Sequence, residues 1–352
     1  MKCFVMYASS RNADFYYLTR FKTSDPCVYV VCEDTELLVV PKMEVNRASR
    51  ESRVREIASY EDLGYKELVA EYGRAAISEL IVRLLKECRA KVVAVPDDFP
   101  ASIAFRLREE FEVVFENPAR EKRMVKTSEE VREIAKVCEA TLLAFDWVVR
   151  NFGFSSCEEL RNALEAKLYE LGLLAEDTIA ASGRLSADPH ERGSGVIEDH
   201  VVLDVFPRSR TSMYYADFTR TIFVERNGEL EEMYGAVVDA QEEAIKMLRD
   251  GVDARDVHQR VVEVLNERGF KTRGGEGFVH STGHGVGLEV HEEPRIGERS
   301  CILKRGMVVT VEPGLYYRRI GGVRCEDLVV IKKNGCEVLT KYPKWIRLYE
   351  GL

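Results

Sequence analysis

The sequence predicts an α+β chain of two domains, a smaller α/β domain over residues 1–120 and a larger domain over residues 121–352. Three observations carry that prediction. Short β-branched runs alternate with amphipathic helical stretches in the first part; downstream, the order helix, helix, strands occurs twice; and in that second part acidic residues interrupt or end the apolar strands.

In chain order, residues 28–32 and 36–40 read as strands split by Glu33-Asp34-Thr35. Residues 75–88 keep helical apolar spacing, 91–95 read as a strand, 101–111 as a helix and 112–115 as a strand. This part holds none of the metal candidates. The charged run from Arg120 to Lys126 reads as a solvated linker. Thr127-Ser128-Glu129-Glu130 is a capping box opening a helix whose apolar positions, Val131, Ile134, Cys138, Leu142, Phe145, Val149 and Phe152, keep helical spacing. A second helix over 156–171 stops at Gly172, and two strands with aspartates follow. Helices over 229–249 and 253–268 precede a second group of strands, so the domain is expected to be pseudo-twofold with a site between its halves.

Residues 278–294, FVHSTGHGVGLEVHEEP, hold His280, His284 and His291, three of the chain's six histidines. Gly283, Gly285 and Gly287 argue against a helix, so the stretch reads as strand and loop. One histidine in a glycine-rich turn is ordinarily solvated; three together point to a metal site. Four carboxylates accompany them. Asp204 breaks the run Val201-Val202-Leu203-Asp204-Val205-Phe206, where a buried charge is costly unless paired. Asp217 lies in a strand over 214–222 that turns Tyr215, Asp217, Thr219 and Thr221 to one face. With residues 207–213 as a hairpin connection, Asp204 and Asp217 come side by side, a repulsive pairing that cations between them relieve. Glu312 closes the run 307–311 before Pro313-Gly314, and Glu326 sits within a strand pattern over 323–331. Each acid alone reads as a solvated strand-end residue; together with the histidines they read as one carboxylate-rich site with one or two imidazoles. That donor set is too oxygen-rich for structural zinc. It suits a pair of divalent ions about 3.5–4 Å apart that share and acidify a water, the chemistry of metal-assisted hydrolysis.

The segments VVLDVF, YADFTRT, HSTGHGVGLEVHEEP, VVTVEPGLYY and GGVRCEDLVVI, in that order, resemble the pita-bread-fold metallopeptidases, which include methionine aminopeptidases, Xaa-Pro aminopeptidases and Xaa-Pro dipeptidases (prolidases). The resemblance implies a C-terminal pita-bread catalytic domain and an N-terminal creatinase-type domain. It implies Asp204, Asp217, His284, Glu312 and Glu326 as ligands of two divalent ions (Mn, Co, Zn or Fe), with Asp217 and Glu326 bridging. His280 and His291 become catalytic residues that contact substrate, and Glu312 the proton acceptor from the attacking water; His190 and Arg324 become substrate-binding residues. The extra N-terminal domain, opened by Asn12-Ala13-Asp14-Phe15-Tyr16-Tyr17-Leu18-Thr19, is similar to that of the proline-specific branch, where it mediates dimerisation. The expected reaction is hydrolysis of the bond before proline in a short peptide with proline second, by a homodimer. Three alternatives stand beside it: a methionine aminopeptidase-like activity, a creatinase-like hydrolase without metals, and a non-catalytic peptide-binding protein of the same fold. One departure is notable. The family pattern usually has a glycine two residues after the first aspartate and a shorter loop, whereas this chain reads Asp204-Val205-Phe206-Pro207-Arg208, with Arg208 and Arg210 either near substrate or on a solvated basic loop.

Composition narrows the classes further. With 45% hydrophobic and 32% charged residues the chain is ordinary for a globular protein, and a net charge of −9 argues against nucleic acid as a partner. No segment approaches the roughly 20 apolar residues of a membrane span, and the apolar start of the chain is too short for a secretory signal. Nine cysteines without a CxxC pair read as free thiols of a reducing compartment, and Cys325 as a core residue; a cytoplasmic location is expected.

Overall fold

The computed structural model describes residues 1–33 and 35–351 and divides into two compact units, Met1–Arg123 and Met124–Leu352. Asp34, in the expected break between two strands, and Leu352 lie outside the described residues. The first unit is a six-stranded sheet in the order Glu56–Ser59, Thr35–Val40, Cys27–Cys32, Lys2–Ala8, Val92–Val95, Glu112–Phe115. The three strands from Lys2–Ala8 to Thr35–Val40 pair antiparallel, and the others join parallel. The apolar start of the chain is thus a central strand. The expected helices run over Ala76–Glu87 and Ala101–Arg108. Two shorter helices, Val45–Glu51 and Tyr65–Tyr72, bury only Ala48 and Leu68 respectively, too little apolar surface to leave a pattern in the sequence. Asn12 caps the helix Ala13–Thr19, its side chain accepting from the Phe15 amide at 2.9 Å.

Two expectations are corrected here. The run from Arg120 to Lys126 is not a solvated linker, because Pro118–Met124 is helical with Ala119 and Arg123 buried one turn apart. Arg123 donates to the Asp14 carboxylate, and buried Lys126 pairs with Glu292 at 3.0 Å; their burial follows the partner rather than the residue type. Nor are all nine cysteines free. Cys3 and Cys32 are direct cross-strand partners with Cα atoms 4.4 Å apart, the close spacing of a non-hydrogen-bonded antiparallel pair, and they form a disulfide.

The second unit repeats its order as expected. Helices Ser128–Arg150 and Cys157–Glu170 precede a sheet in the order Ile346–Arg347, Phe218–Phe223, His200–Val205, Ile179–Ser182. The first helix opens with the capping box, Thr127 accepting from Glu130 N at 3.2 Å and Glu130 from Thr127 N at 2.8 Å. Helices Gly228–Met247 and Ala254–Glu267 precede a sheet in the order Glu292–Ile296, Gly283–Gly285, Val308–Val311, Asp327–Lys332, Gly335–Val338, and Gly314–Tyr317 pairs with Gly321–Arg324 as a separate hairpin. The core of this second half joins the inward faces of both helices to Val309, Val311, Leu315, Val323, Val329 and Ile331. Cys325 is fully buried in it. Among the described residues, no helix is long and apolar enough to cross a membrane.

Two local readings change. The strand with Asp204 ends at Val205 and its partner begins at Phe218, so Asp217 precedes its strand and the connection is longer than 207–213. In the intervening chain Arg208–Ser209 pairs with Leu173–Leu174, and the Arg210 guanidinium lies 4.7 Å from the Tyr169 ring centre. Glu326 likewise lies between strands, since the chain leaves the hairpin at Arg324 and joins the five-stranded sheet at Asp327. Both acids therefore sit where the backbone changes partner, which frees them from the side-to-side alternation of a strand.

Candidate metal centre

All the predicted site residues line one cavity of about 700 Å³ in the second unit: His190, Asp204, Asp217, His280, His284, His291, Glu312, Arg324 and Glu326. At its floor Asp217, His284 and Glu326 converge, each presenting one ligand atom within 4.8 Å of the others. His284 Nε2 is 3.7 Å from Asp217 Oδ2 and 3.2 Å from Glu312 Oε1. The backbone fixes these side chains. Glu326 N donates to Thr219 O at 3.0 Å while Thr219 Oγ1 donates to Glu326 Oε2 at 2.7 Å, which binds the Glu326 junction to the strand after Asp217. His284 N donates to Thr310 Oγ1 at 3.0 Å, two residues before Glu312, and a Cβ at Gly283 would lie 2.0 Å from Thr310 O; only glycine lets the two strands approach this closely.

Tautomers follow from the acceptors. His284 Nδ1 lies 3.1 Å from Gly285 O, a carbonyl that can only accept, so Nδ1 carries a proton and Nε2 faces the carboxylates, where Glu312 raises the pKa of the ring against the effect of burial. His280 Nδ1 donates to Ser281 O at 2.8 Å, and Nε2 accepts from Tyr316 OH at 3.0 Å. Both its nitrogens are committed within the protein, and burial holds its pKa below the ordinary histidine value. The His291 ring lies 4.4 Å from that of His284 on the cavity wall; burial and the His284 charge lower its pKa.

Arg324 is buried and donates to Asp204 Oδ2 at 2.6 Å, to Tyr316 OH at 2.8 Å and to Pro189 O at 3.2 Å. Of the cavity's arginines only Arg324 is buried, and one buried guanidinium against Asp204, Asp217, Glu312 and Glu326 leaves an excess of negative charge in a poorly solvated space. Burial and the neighbouring carboxylates push Asp217 and Glu326 well above the usual carboxylate range. Burial also opposes ionisation of Glu312, but the hydrogen bond and charge of His284 outweigh it and hold Glu312 at about 2. Asp204 Oδ1 is buried without a hydrogen-bond partner among the described residues. An orphaned carboxylate oxygen, three converging ligand atoms and an oxygen-rich donor set with one free imidazole nitrogen fit hard-to-borderline divalent cations.

Several residues in or behind the cavity carried no sequence signal. Tyr316 and Thr219 act through single hydroxyls in ordinary strand positions. Phe206 stands on the cavity wall, while Arg208 and Arg210 do not line it. Arg295 lines the cavity with no ion pair among the described residues; only its place on a wall facing the acids distinguishes it from surface arginines.

Comparison with known proteins identifies the family. Residues 129–333 match the model of metallopeptidase family M24, and residues 6–134 match the creatinase/prolidase N-terminal domain. An Xaa-Pro dipeptidase of Pyrococcus horikoshii is 33% identical over 94% of this chain and 91% of its own length, and one of Pyrococcus furiosus is 39% identical over 62% of this chain and 64% of its own. The X-Pro aminopeptidase structure from Thermotoga maritima superposes with a TM-score of 0.86 at 28% identity, covering 99% of this chain and 98% of that one. The prolidase structure from Pyrococcus furiosus gives 0.80 at 30% identity, covering 97% and 96%. With more than half of its length matched by the peptidase model, the chain belongs to metallopeptidase family M24, with a creatinase/prolidase-type domain in front of a pita-bread catalytic domain.

Proposed function

We propose that the protein is a metallo-exopeptidase that hydrolyses the bond before proline, acting foremost as an Xaa-Pro dipeptidase. The observation that carries the reading is the presence within one cavity of the Asp217–His284–Glu326 convergence and of Arg295, which has no ion pair among the described residues. A dipeptide bound with its scissile carbonyl over the acids ends in a free carboxylate, and Arg295 offers that carboxylate a cation. A longer peptide has no charge at that point. The named relatives above support the same substrate class.

Asp204, Asp217, His284, Glu312 and Glu326 would hold two divalent cations, of Mn, Co, Zn or Fe. Such cations supply Lewis acidity toward a carbonyl oxygen and make water acidic. The protein's own residues do the rest. Glu312, ionised across the neutral range, accepts a proton from the attacking water, the neutral His291 contacts substrate and the charge that develops on the carbonyl oxygen, and His280, held by Ser281 O and Tyr316 OH, takes up that catalytic contact only by releasing Tyr316. Arg324 compensates Asp204 and, with His190, borders the substrate. The family reading also carries a homodimer, checked by light scattering at twice the chain mass.

A substrate panel tests the specificity. Ala-Pro and Leu-Pro should be cleaved with higher kcat/KM than Ala-Pro-Ala or Met-Ala, and Arg295→Ala should raise KM for the dipeptides by roughly tenfold or more while leaving tripeptides little changed. Equal losses on both lengths would refute a role for Arg295 in reading the carboxylate.

A further inference from the structure

We infer that His200, with Ser186 and Asp199, is a positioning clamp that sets the substrate-facing loop of residues 183–190 against the strand bearing Arg324; the kinetic part of this rests on the reading above. His200 begins the Asp204 strand and is fully buried. Its Nδ1 lies 2.7 Å from Asp199 Oδ1, and its Nε2 lies 3.0 Å from Ser186 Oγ and 3.1 Å from Gly322 O. The arrangement has the connectivity of a serine-hydrolase triad, but two observations remove that chemistry. Ser186 is buried, and its hydroxyl already donates to Gly183 O at 2.6 Å. The Ser186 oxygen therefore receives a hydrogen bond rather than attacking: Gly322 N donates to it at 2.7 Å, and His200 Nε2 lies within hydrogen-bond distance of both it and Gly322 O.

The consequence lies in what the three partners carry. Ser186 belongs to the loop that presents Pro189 and His190 to the cavity; Gly322 is two residues before Arg324; and His200 is four residues before Asp204. Arg324 grips the same loop a second time, through Pro189 O. The contact is tight enough to forbid slack, since a Cβ at Gly322 would lie 1.9 Å from Ser186 O. Asp199 anchors the imidazole and in turn receives Asn227 Nδ2, which caps the helix Gly228–Met247. One buried imidazole thus joins the loop, the Arg324 strand and the Asp204 strand, and it fixes the substrate side of the cavity without touching substrate.

Hydrogen exchange and kinetics on the full chain test this. In His200→Leu, amides of residues 183–188 and His190 should exchange at least about tenfold faster, and KM for Ala-Pro should rise about tenfold with kcat within about threefold and metal stoichiometry unchanged. His200→Gln, which restores an Nε2 donor, should recover both. Should His200→Leu not fold, Ser186→Ala removes a single oxygen and carries the same expectations. Unchanged exchange in the loop, a loss confined to kcat, or failure of His200→Gln to recover KM would overturn the clamp. If wild-type protein cleaves no Xaa-Pro peptide the functional reading fails instead, and the exchange result still decides whether His200 holds the loop.

Discussion

At the scale of single residues, the centre is a problem of buried charge, and the roles of its members separate by what each would lose. Asp217→Ala removes a carboxylate from the convergence with His284 and Glu326, so metal binding and turnover should vanish together, read by metal analysis of the dialysed protein. His291→Ala leaves those atoms in place; turnover should fall by about 10²-fold or more with metal content retained. Equal metal loss in both variants would overturn this division. A pH dependence follows from the same charges. In metal-free protein the folded state keeps protons on Asp217 and Glu326 above the unfolded carboxylate values near about 4, so these groups favour folding at low pH, and that stability is lost as pH rises through their raised values. Glu312, held at about 2, has the opposite sign: its contribution is present above its unfolded value and is lost as pH falls toward about 2. Because cations replace the retained protons, the drop in Tm on chelation should grow between about pH 5 and about pH 7.5; a drop that shrinks over that range contradicts the electrostatics. These acids and histidines were legible in the sequence because each violates its surroundings, a charge in an apolar run or a histidine among glycines. Thr219, Tyr316, His200 and Arg295 violate nothing locally, and only their neighbours in space reveal them.

At the scale of elements, the acids owe their positions to strands that end where they do, and a buried polar assembly behind the site holds those ends. Arg220 is fully buried and donates to Thr219 O, Glu326 O, Asp327, Tyr342 O and Pro343 O. Gln241 donates to Val311 O at 3.1 Å, Cys325 O at 3.3 Å and Asp327 Oδ2 at 3.1 Å. Residues adjoining Glu312 and Glu326 are thereby fixed from the helix side. Arg220→Met leaves Asp327 buried without its cation and should destabilise the protein by roughly 3–5 kcal/mol, seen as a lower midpoint in denaturant unfolding. A change within about 0.5 kcal/mol would show that the ion pair contributes little. Helices with a wide apolar face were readable to within a few residues, and so was the capping box at Thr127. The ends of the strands near Asp217 and Glu326 were not, because an apolar run continues through the point where the backbone exchanges one strand partner for another. The helix Pro118–Met124 was hidden for a different reason: its buried arginine has a partner more than one hundred residues away in sequence.

At the scale of the whole molecule, the two-part organisation and the doubled helix-helix-strand order were visible in composition and periodicity, whereas sheet order and the cross-strand disulfide depend on pairings that sequence spacing does not specify. The central claim is that the carboxylate cavity works through bound divalent cations on Xaa-Pro peptides. The direct measurement is hydrolysis of Ala-Pro by the chelator-stripped protein before and after titration with manganese or cobalt, alongside the bound-metal stoichiometry. Activity should be absent after stripping and return in proportion to metal bound, saturating near two ions per chain. Hydrolysis that persists without metal, or its absence in protein that has taken up metal, would contradict the account.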